Sequence, residues 1–143
     1  MPYTIGIDLG GTNIKAGVVD PEGRILCRES IKTRAERKAV EIVRDMGFLA
    51  QKVIAQAGIA QADVAAIGIG SPGTPDNETG ILVYTNNLPF ANVPMRAEIR
   101  RILDLPVFIE NDANCAALAE HVSGGAVGTR HSVTVTLGTG VGG

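Results

Sequence analysis

Tryptophan is absent from this sequence, and aromatic residues make up only 3% of its 143 positions. Cysteine is nearly as scarce. Cys27 and Cys115 lie far apart and form no CxxC pair, which excludes a disulfide-rich scaffold. We therefore expect both cysteines to be thiols in a reducing compartment.

Neither sign of charge is in large excess. The chain has 13 Lys and Arg residues against 15 Asp and Glu residues, a net charge of −2, so there is no basic field for a nucleic acid. No apolar run approaches the roughly 18 residues of a membrane span, and Met1 to Thr4 leads directly into a strand without a signal peptide. These observations predict a cytoplasmic protein with neither a nucleic-acid nor a membrane partner.

Apolar periodicity divides the chain into alternating strands and helices. The predicted strands are 4–9, 13–19, 24–31, 64–70, 81–84, 106–110 and 132–137. The predicted helices are 33–57, with Thr33 as its cap, 95–103 and 113–122, and the remainder of 74–94 is expected to be irregular. A β-meander followed by αβ units predicts an α/β fold with a mixed sheet and an antiparallel second strand.

The first glycine-rich segment is a candidate phosphate site. Alternating apolar strands flank Gly10-Gly11-Thr12-Asn13, which predicts a hairpin whose turn residues tolerate positive φ. Glycines allow close approach of a ligand, and successive N–H groups with the Thr12 hydroxyl can bind an anion. Asp8 ends the first strand beside this turn, where a carboxylate can meet Mg²⁺ through water. An ordinary Gly-Gly turn explains this segment equally well.

A second segment of the same chemistry ends the chain. The alternating strand to Leu137 enters Gly138-Thr139-Gly140, a second candidate phosphate turn. Gly138, Gly140 and Gly143 also satisfy the pattern GxGxxG, but a dinucleotide site needs a following helix and an acidic residue about 20 positions later. Neither is present within 143 residues, so a Rossmann site is disfavoured.

The tripeptide Glu110-Asn111-Asp112 lies where a strand ends and a helix begins. Open α/β sheets hold their ligands at this location. Asp112 could act there as a general base on a bound hydroxyl, or it could simply cap the helix that follows. The residues alone leave both interpretations open.

Five motifs together resemble the ROK family of sugar kinases and repressors, within the actin, Hsp70 and hexokinase superfamily. The phosphate loops are similar to Asp8 to Lys15 and Leu137 to Gly143, and the catalytic segment to Glu110 to Asn114. Gly70-Ser71-Pro72-Gly73 and Asn86-Asn87-Leu88-Pro89 resemble the two sugar-side loops. The five occur in family order over nearly the whole chain, and the resemblance implies an RNase H-like mixed five-stranded sheet with flanking helices.

The resemblance also implies roles for individual residues. Asp112 would be the general base, and Asn111, Asn87, Pro72 and Gly73 would bind the sugar. The nucleotide phosphates would lie against Asp8, Gly10, Gly11, Thr12, Asn13, Gly138, Thr139 and Gly140. ATP and Mg²⁺ would be required, with Asp8 contacting the metal through water.

Length alone predicts one domain for 143 residues, whereas the family is built from two lobes. The resemblance therefore implies that residues 1–143 are the N-terminal lobe. The C-terminal lobe, with its zinc motif and Glu/His sugar ligands, would lie beyond this chain. We expect the lobe alone to be inactive and the full-length protein to be a homo-oligomer.

Three classes of function remain open. The first is an ATP-dependent hexose kinase of carbohydrate metabolism that phosphorylates glucose on its primary hydroxyl, as a glucokinase does in glycolysis. The second is the sugar-sensing lobe of a ROK-type repressor, for which the seven residues before Asp8 leave no room for a helix-turn-helix. The third is a polymerising or chaperone-type ATPase, in which Asn111-Asp112 would serve no sugar chemistry.

Overall fold

The computed structural model describes residues 2–137 and 141–143. Its strands are β1 (Tyr3–Leu9), β2 (Asn13–Val19), β3 (Ile25–Lys32), β4 (Val64–Ser71), β5 (Thr74–Asp76), β6 (Ile81–Tyr84), β7 (Ala91–Val93), β8 (Val107–Asn111), β9 (Thr136–Leu137) and β10 (Val141–Gly142). Its helices are α1 (Ala39–Ala57), α2 (Met95–Arg100) and α3 (Asp112–Ser123), with a 3-10 turn at Gln61–Asp63. Within the described residues, no helix has the length and apolar character needed to cross a bilayer.

Five strands form the central sheet in the order β3-β2-β1-β4-β8. Strands β1, β4 and β8 are parallel to one another, and β2 is antiparallel to both of its neighbours. The predicted mixed sheet with an antiparallel second strand is therefore confirmed. The carboxyl ends of β1, β4 and β8 lie along one edge.

One face of this sheet is fully covered. Alternate strand residues point toward α1 because side chains in a strand alternate between faces. The buried apolar residues of β1, β2, β4 and β8 on this face are Ile5, Ile7, Leu9, Ile14, Ala16, Val18, Val64, Ile67, Ile69, Val107 and Ile109. Helix α1 packs its own buried stripe against them, with Ile42, Val43, Met46, Leu49, Ala50, Val53 and Ile54. The helical spacing predicted this stripe as core.

The opposite face is lined by small residues. Gly6 in β1 pairs with Gly17 in β2 and with Gly68 in β4, so three glycines form one row across the sheet. Helix α3 lies over the β4 end of this face, where the Cys115 sulfur would be 3.6 Å from a Cβ placed on Gly70. A groove of about 1040 Å³ separates the helix from the rest of the face.

The long helix begins later than predicted. It starts at Ala39, with Lys38 before it, and Glu41 accepts a hydrogen bond from the Lys38 backbone N–H at 3.1 Å. Thr33 is instead fully buried, and its hydroxyl donates to the Gly10 carbonyl at 2.7 Å. Thr33 was a plausible cap by residue type, but its hydroxyl serves a contact distant in sequence.

Two further predictions are wrong in detail. The strand predicted at 81–84 is confirmed as β6, but the rest of 74–94 is not all irregular, because β5 and β7 pair with β6 in a small antiparallel sheet. The strand predicted at 132–137 is reduced to β9, which pairs with β10 outside the central sheet. Val133 is 91% exposed, so the apolar alternation that predicted a longer strand here has no surface to pack against within the described residues.

Candidate functional site

Three strands deliver residues of the candidate site to neighbouring positions. Asp8 in β1 pairs with Gly70 in β4, which in turn pairs with Glu110 in β8. On the other side Asp8 pairs with Lys15, and the Asp8 Oδ2 to Lys15 Nζ distance is 4.0 Å with both side chains exposed. The row Lys15-Asp8-Gly70-Glu110 therefore runs along the carboxyl end of the parallel strands, where α/β folds bind ligands.

The first glycine turn is held tightly closed. The Gly10 N–H donates to the Asn13 carbonyl at 3.0 Å, and a Cβ on Gly10 would lie 2.6 Å from that same oxygen. Neither Gly10 nor Gly11 has positive φ, which corrects the reason given for glycine here. Close backbone approach, rather than a left-handed conformation, requires glycine at position 10.

Thr33 also holds the first glycine turn, through two hydrogen bonds. Besides its hydroxyl bond to Gly10, its backbone N–H donates to the Thr12 carbonyl at 2.9 Å. This role of Thr33 was not predicted. A hydroxyl residue two positions after the third predicted strand was its only signal in the sequence, and helix caps share this signal.

The first glycine turn meets the Asn86-Asn87 loop. A Cβ placed on Gly11 would lie 3.1 Å from Asn87 Nδ2, so a candidate phosphate residue and a candidate sugar residue are neighbours. The loop is closed by Thr85, which is buried and whose hydroxyl donates to the Leu88 carbonyl at 2.8 Å. Asn87 is exposed beside the turn.

The second candidate sugar loop, Gly70 to Gly73, is hydrogen-bonded to the candidate catalytic segment, Glu110 to Asn114. Gly73 has a φ of +82°, and a Cβ there would collide with the Tyr84 carbonyl. Its own carbonyl accepts a hydrogen bond from Asn111 Nδ2 at 3.1 Å. Pro72 precedes it, half-buried, and its carbonyl accepts from the Ser71 hydroxyl at 3.0 Å. The structure thus brings Pro72, Gly73 and Asn111 together.

Asn111, not Asp112, caps helix α3. The Asn111 Oδ1 accepts from the backbone N–H groups of Ala113 at 3.0 Å and Asn114 at 3.3 Å. Asp112 is the first residue of the helix and is exposed, although its Oδ1 also lies 2.8 Å from the Ala113 nitrogen. The interpretation of Asp112 as a simple N-cap is therefore wrong. Its carboxylate extends from the helix N-terminus, a location that favours negative charge.

Three carboxylates surround one end of the groove. Asp8, Glu110 and Asp112 all line it, together with Cys115. Burial raises the pKa of the Cys115 thiol, and the nearby charges of Glu110, Asp112 and Asp8 raise it further. Hydrogen bonds, first of all from the Asn111 backbone, lower the pKa of Glu110.

The described residues offer no set of side chains for a directly ligated metal ion. The described residues contain no group of three or more His, Cys, Asp or Glu side chains arranged to hold an ion. Asp8, exposed at the strand end beside the glycine turn, fits the outer-sphere role that Mg²⁺ allows, since this ion keeps several of its waters.

The second glycine segment is only partly described. Gly138, Thr139 and Gly140 lie outside the described residues. The strands on either side pair with each other, Leu137 with Val141 and Thr136 with Gly142. A Cβ on Gly142 would lie 3.3 Å from the Ala113 Cβ, so β10 lies beside the first turn of α3.

The mixed five-stranded sheet, with the candidate site at the carboxyl end of its parallel strands, defines an α/β fold of the actin/hexokinase-like class. The chain belongs to the ROK family, whose model matches residues 4–143.

Known proteins similar to this chain include both kinases and repressors. It is 36% identical over 143 residues to a glucokinase from Streptomyces coelicolor, covering 100% of this chain and 43% of that protein. A solved ROK glucokinase from Streptomyces griseus, in complex with glucose and AMPPNP, aligns with a TM-score of 0.82 and 36% identity over 98% of this chain and 43% of its own. A putative xylose repressor from Caldicellulosiruptor sp. is 30% identical over 138 residues, 96% of this chain and 35% of that protein. The chain spans less than half the length of each.

Proposed function

We propose that residues 1–143 are the N-terminal lobe of an ATP-dependent hexose kinase that phosphorylates glucose on its primary hydroxyl. The observation that carries this proposal is the placement of the exposed Asp112 carboxylate at one end of the groove, in which Asp8 also lies beside the closed Gly10 turn. The glucokinase relatives support the same reaction. The repressor relatives do not add support for it.

In this proposal the two glycine segments bind the nucleotide. Backbone N–H groups at Gly11, Thr12 and Asn13, and at Gly138, Thr139 and Gly140, donate to the phosphates of ATP, while the Gly10 N–H closes the turn through its bond to the Asn13 carbonyl. Mg²⁺ bound to those phosphates would supply charge stabilisation, with Asp8 contacting its water shell. Preorganised donors cost no reorganisation during the reaction, which is why the closed Gly10 turn matters.

The sugar is bound by the two loops that meet this site. Asn87 lies beside Gly11, and Asn111 is hydrogen-bonded to Gly73. The Asn111 oxygen is already used as the helix cap, so its Nδ2, which carries a second N–H, is the group that donates to a ring hydroxyl. Asn87 and the Pro72-Gly73 backbone complete the set.

Asp112 then performs the proton transfer. Its carboxylate accepts the proton of the primary hydroxyl as that oxygen attacks the γ-phosphorus, while the bond between the γ-phosphorus and the β,γ-bridging oxygen breaks and ADP leaves. The products are ADP, the sugar phosphate and one proton held by Asp112. Water competes for the same phosphoryl group, so we expect the reaction to need the opposing lobe that closes the cleft.

The remaining features belong to the full-length protein. We propose that it is a cytoplasmic homo-oligomer whose second lobe carries the structural zinc and further sugar ligands. The 143-residue lobe by itself should show no glucose phosphorylation above background, since closure of two lobes is what assembles such sites.

The test uses the full-length protein. Purified enzyme with ATP and Mg²⁺ should phosphorylate glucose, and Asp112→Asn should lower kcat by about 10²-fold or more with near-normal glucose binding by calorimetry. Asp104 is an exposed aspartate after α2 that is paired with Arg100, so Asp104→Asn is the matched control and should change nothing. Full kcat in Asp112→Asn would disprove the base assignment.

The second candidate function is a repressor's sugar-sensing lobe, which the similarity to the putative xylose repressor favours. It predicts a sugar-binding protein without turnover. Calorimetric binding of glucose or xylose to the wild-type full-length protein, with no ADP formed, would support this function and exclude the kinase.

A further inference from the structure

Glu110 accepts hydrogen bonds from two segments that are distant in sequence. Its Oε1 accepts from the Asn111 backbone N–H at 2.7 Å and from Asn114 Nδ2 at 2.9 Å. Its Oε2 accepts from Asn77 Nδ2 at 2.7 Å. All three donors are neutral, and the two oxygens of an ionised carboxylate can accept all of them at once.

The segment that carries Asn77 is itself fixed to the sheet. We call residues Asp76–Gly80 the Asn77 turn. Arg96 donates to the carbonyls of Asn77 and Glu78 at 2.7 Å each, and its Nε donates to the Val107 carbonyl at 2.8 Å. Because Val107 and Glu110 belong to the same strand, Arg96 and Glu110 hold the Asn77 turn against β8 at two points.

The other segment is the corner between β8 and α3, formed by Asn111 and Asp112. Asp112 lies between Asn111 and Asn114, the two residues whose N–H groups bind Glu110. The same corner is tied to Gly73 by the Asn111 side chain. A group that binds the residues on both sides of Asp112 fixes the backbone from which its carboxylate projects, without touching the carboxylate itself.

We propose that Glu110 is a positioning residue for the general base, holding the Asn111-Asp112 corner against the anchored Asn77 turn. This inference rests on the proposed role of Asp112. Glutamine at position 110 keeps the size of the side chain but has one acceptor oxygen, so it cannot accept from both segments as the carboxylate does. Misplacement of a reacting group by about 1 Å can cost about 10²-fold in rate, so a partial loosening should cost less.

The test compares Glu110→Gln with Glu29→Gln in the full-length protein. Glu29 in β3 is the matched control, because it also accepts a side-chain amide, from Gln56 at 2.7 Å, but lies on the α1 face of the sheet. Two measurements are made on each variant. One is amide hydrogen exchange over residues 111–114, and the other is kcat with KM for glucose and ATP.

Glu110→Gln should accelerate exchange over 111–114 by about fivefold or more, because the Asn111 N–H and the helix cap loosen. It should lower kcat by about tenfold, with both KM values within about twofold of wild type. Glu29→Gln should leave all of these unchanged. In an Asp112→Asn background the same Glu110→Gln substitution should alter kcat by less than about twofold, since it acts through Asp112.

The outcomes separate this inference from the function on which it rests. Unchanged exchange and kcat in Glu110→Gln, beside a low kcat in Asp112→Asn, would overturn only the role of Glu110. An equal loss of kcat in both backgrounds would also overturn it. Faster exchange in Glu110→Gln with full kcat in Asp112→Asn would overturn the assignment of Asp112 as the base.

Discussion

The two faces of the central sheet are the α1 face, which helix α1 covers, and the groove face, which lines the groove. They are built from the same strands but differ in composition and burial. On the α1 face, alternate residues are branched apolar side chains, and Ile67 is completely buried. On the groove face, Gly6, Gly17, Gly68 and Gly70 occupy alternate positions of β1, β2 and β4, and the ends of β1 and β8 carry Asp8 and Glu110. The α1 face of the sheet is therefore part of the buried core, and the other face is open to the groove.

This contrast explains why the candidate site is at the end of the groove face. A side chain in the row Gly17-Gly6-Gly68 would fill the space that the groove occupies. Phe108, next to Gly68 in that row, is still 60% exposed. Apolar burial contributes about 25 cal/mol per Å², so a face that leaves such a residue exposed adds little to stability.

The largest effect we expect is from truncation of the α1 face. Ile67→Ala should lower the free energy of unfolding of the 143-residue chain by about 2–5 kcal/mol, because it removes buried methylene groups and leaves a cavity. Phe108→Ala on the groove face is the matched control and should cost at most about 1 kcal/mol. Denaturant unfolding measures both, and equal losses would show that the two faces do not differ.

Gly73 tests whether the loops at the end of the groove face are rigid. Gly73→Ala should destabilise the protein by roughly 1–3 kcal/mol and weaken sugar binding, because alanine is strained at positive φ and its Cβ would meet the Tyr84 carbonyl. Gly23 has the same φ of +82° with open space around it, so Gly23→Ala isolates the backbone strain. A loss in Gly73→Ala no greater than in Gly23→Ala would show that the collision is relieved by movement of the loop.

Much of the fold followed from local pattern. The strands of the meander, the buried stripe of α1 and the parallel strand before Ser71 are confirmed, because alternation and helical spacing reflect which face is buried. The start of α1 could not be predicted, since Thr33 bonds to Gly10, 23 residues away. Strand β6 was predicted at 81–84, but β5 and β7 on either side of it were missed, because Pro and Gly punctuate strands too short to show a period.

The candidate site was predicted as a set of loops rather than as a geometry. Residue types indicated the Gly10 turn and Asp112, and the resemblance to the ROK family indicated Asn87 and Gly73. The structure brings the turn to Asn87 and Gly73 to Asn111. The residue that caps α3 could not be predicted, because Asn111 and Asp112 have similar capping tendencies and stand side by side. Asn77 gave no signal, because its partner Glu110 lies 33 residues further along.

Gly11 lies in the first glycine turn beside Asn87. A substitution there is expected to have a smaller effect, on kinetics rather than on stability. In the full-length protein, Gly11→Val should raise the KM for ATP about tenfold, roughly 1.4 kcal/mol, because its methyl groups hinder close approach of a phosphate. A Cβ at position 11 would be 3.1 Å from Asn87 Nδ2, so the variant Asn87→Ala is measured as a control. Steady-state kinetics with each substrate varied would detect an equal rise in the KM for glucose, which would mean that valine acts through Asn87 instead.

The smallest effect, and the most direct test of the contrast, is expected at Gly6. A Cβ there meets no atom within 4 Å, and its φ is not in the left-handed region. Gly6→Ala should therefore stabilise the 143-residue chain by about 0.4–1 kcal/mol, since alanine reduces the conformational entropy of the unfolded state. Thermal unfolding of the chain measures this gain. A loss of stability would mean that the groove face is covered in solution, and the same substitution in the full-length protein then shows whether the rest of that protein packs against the glycine row.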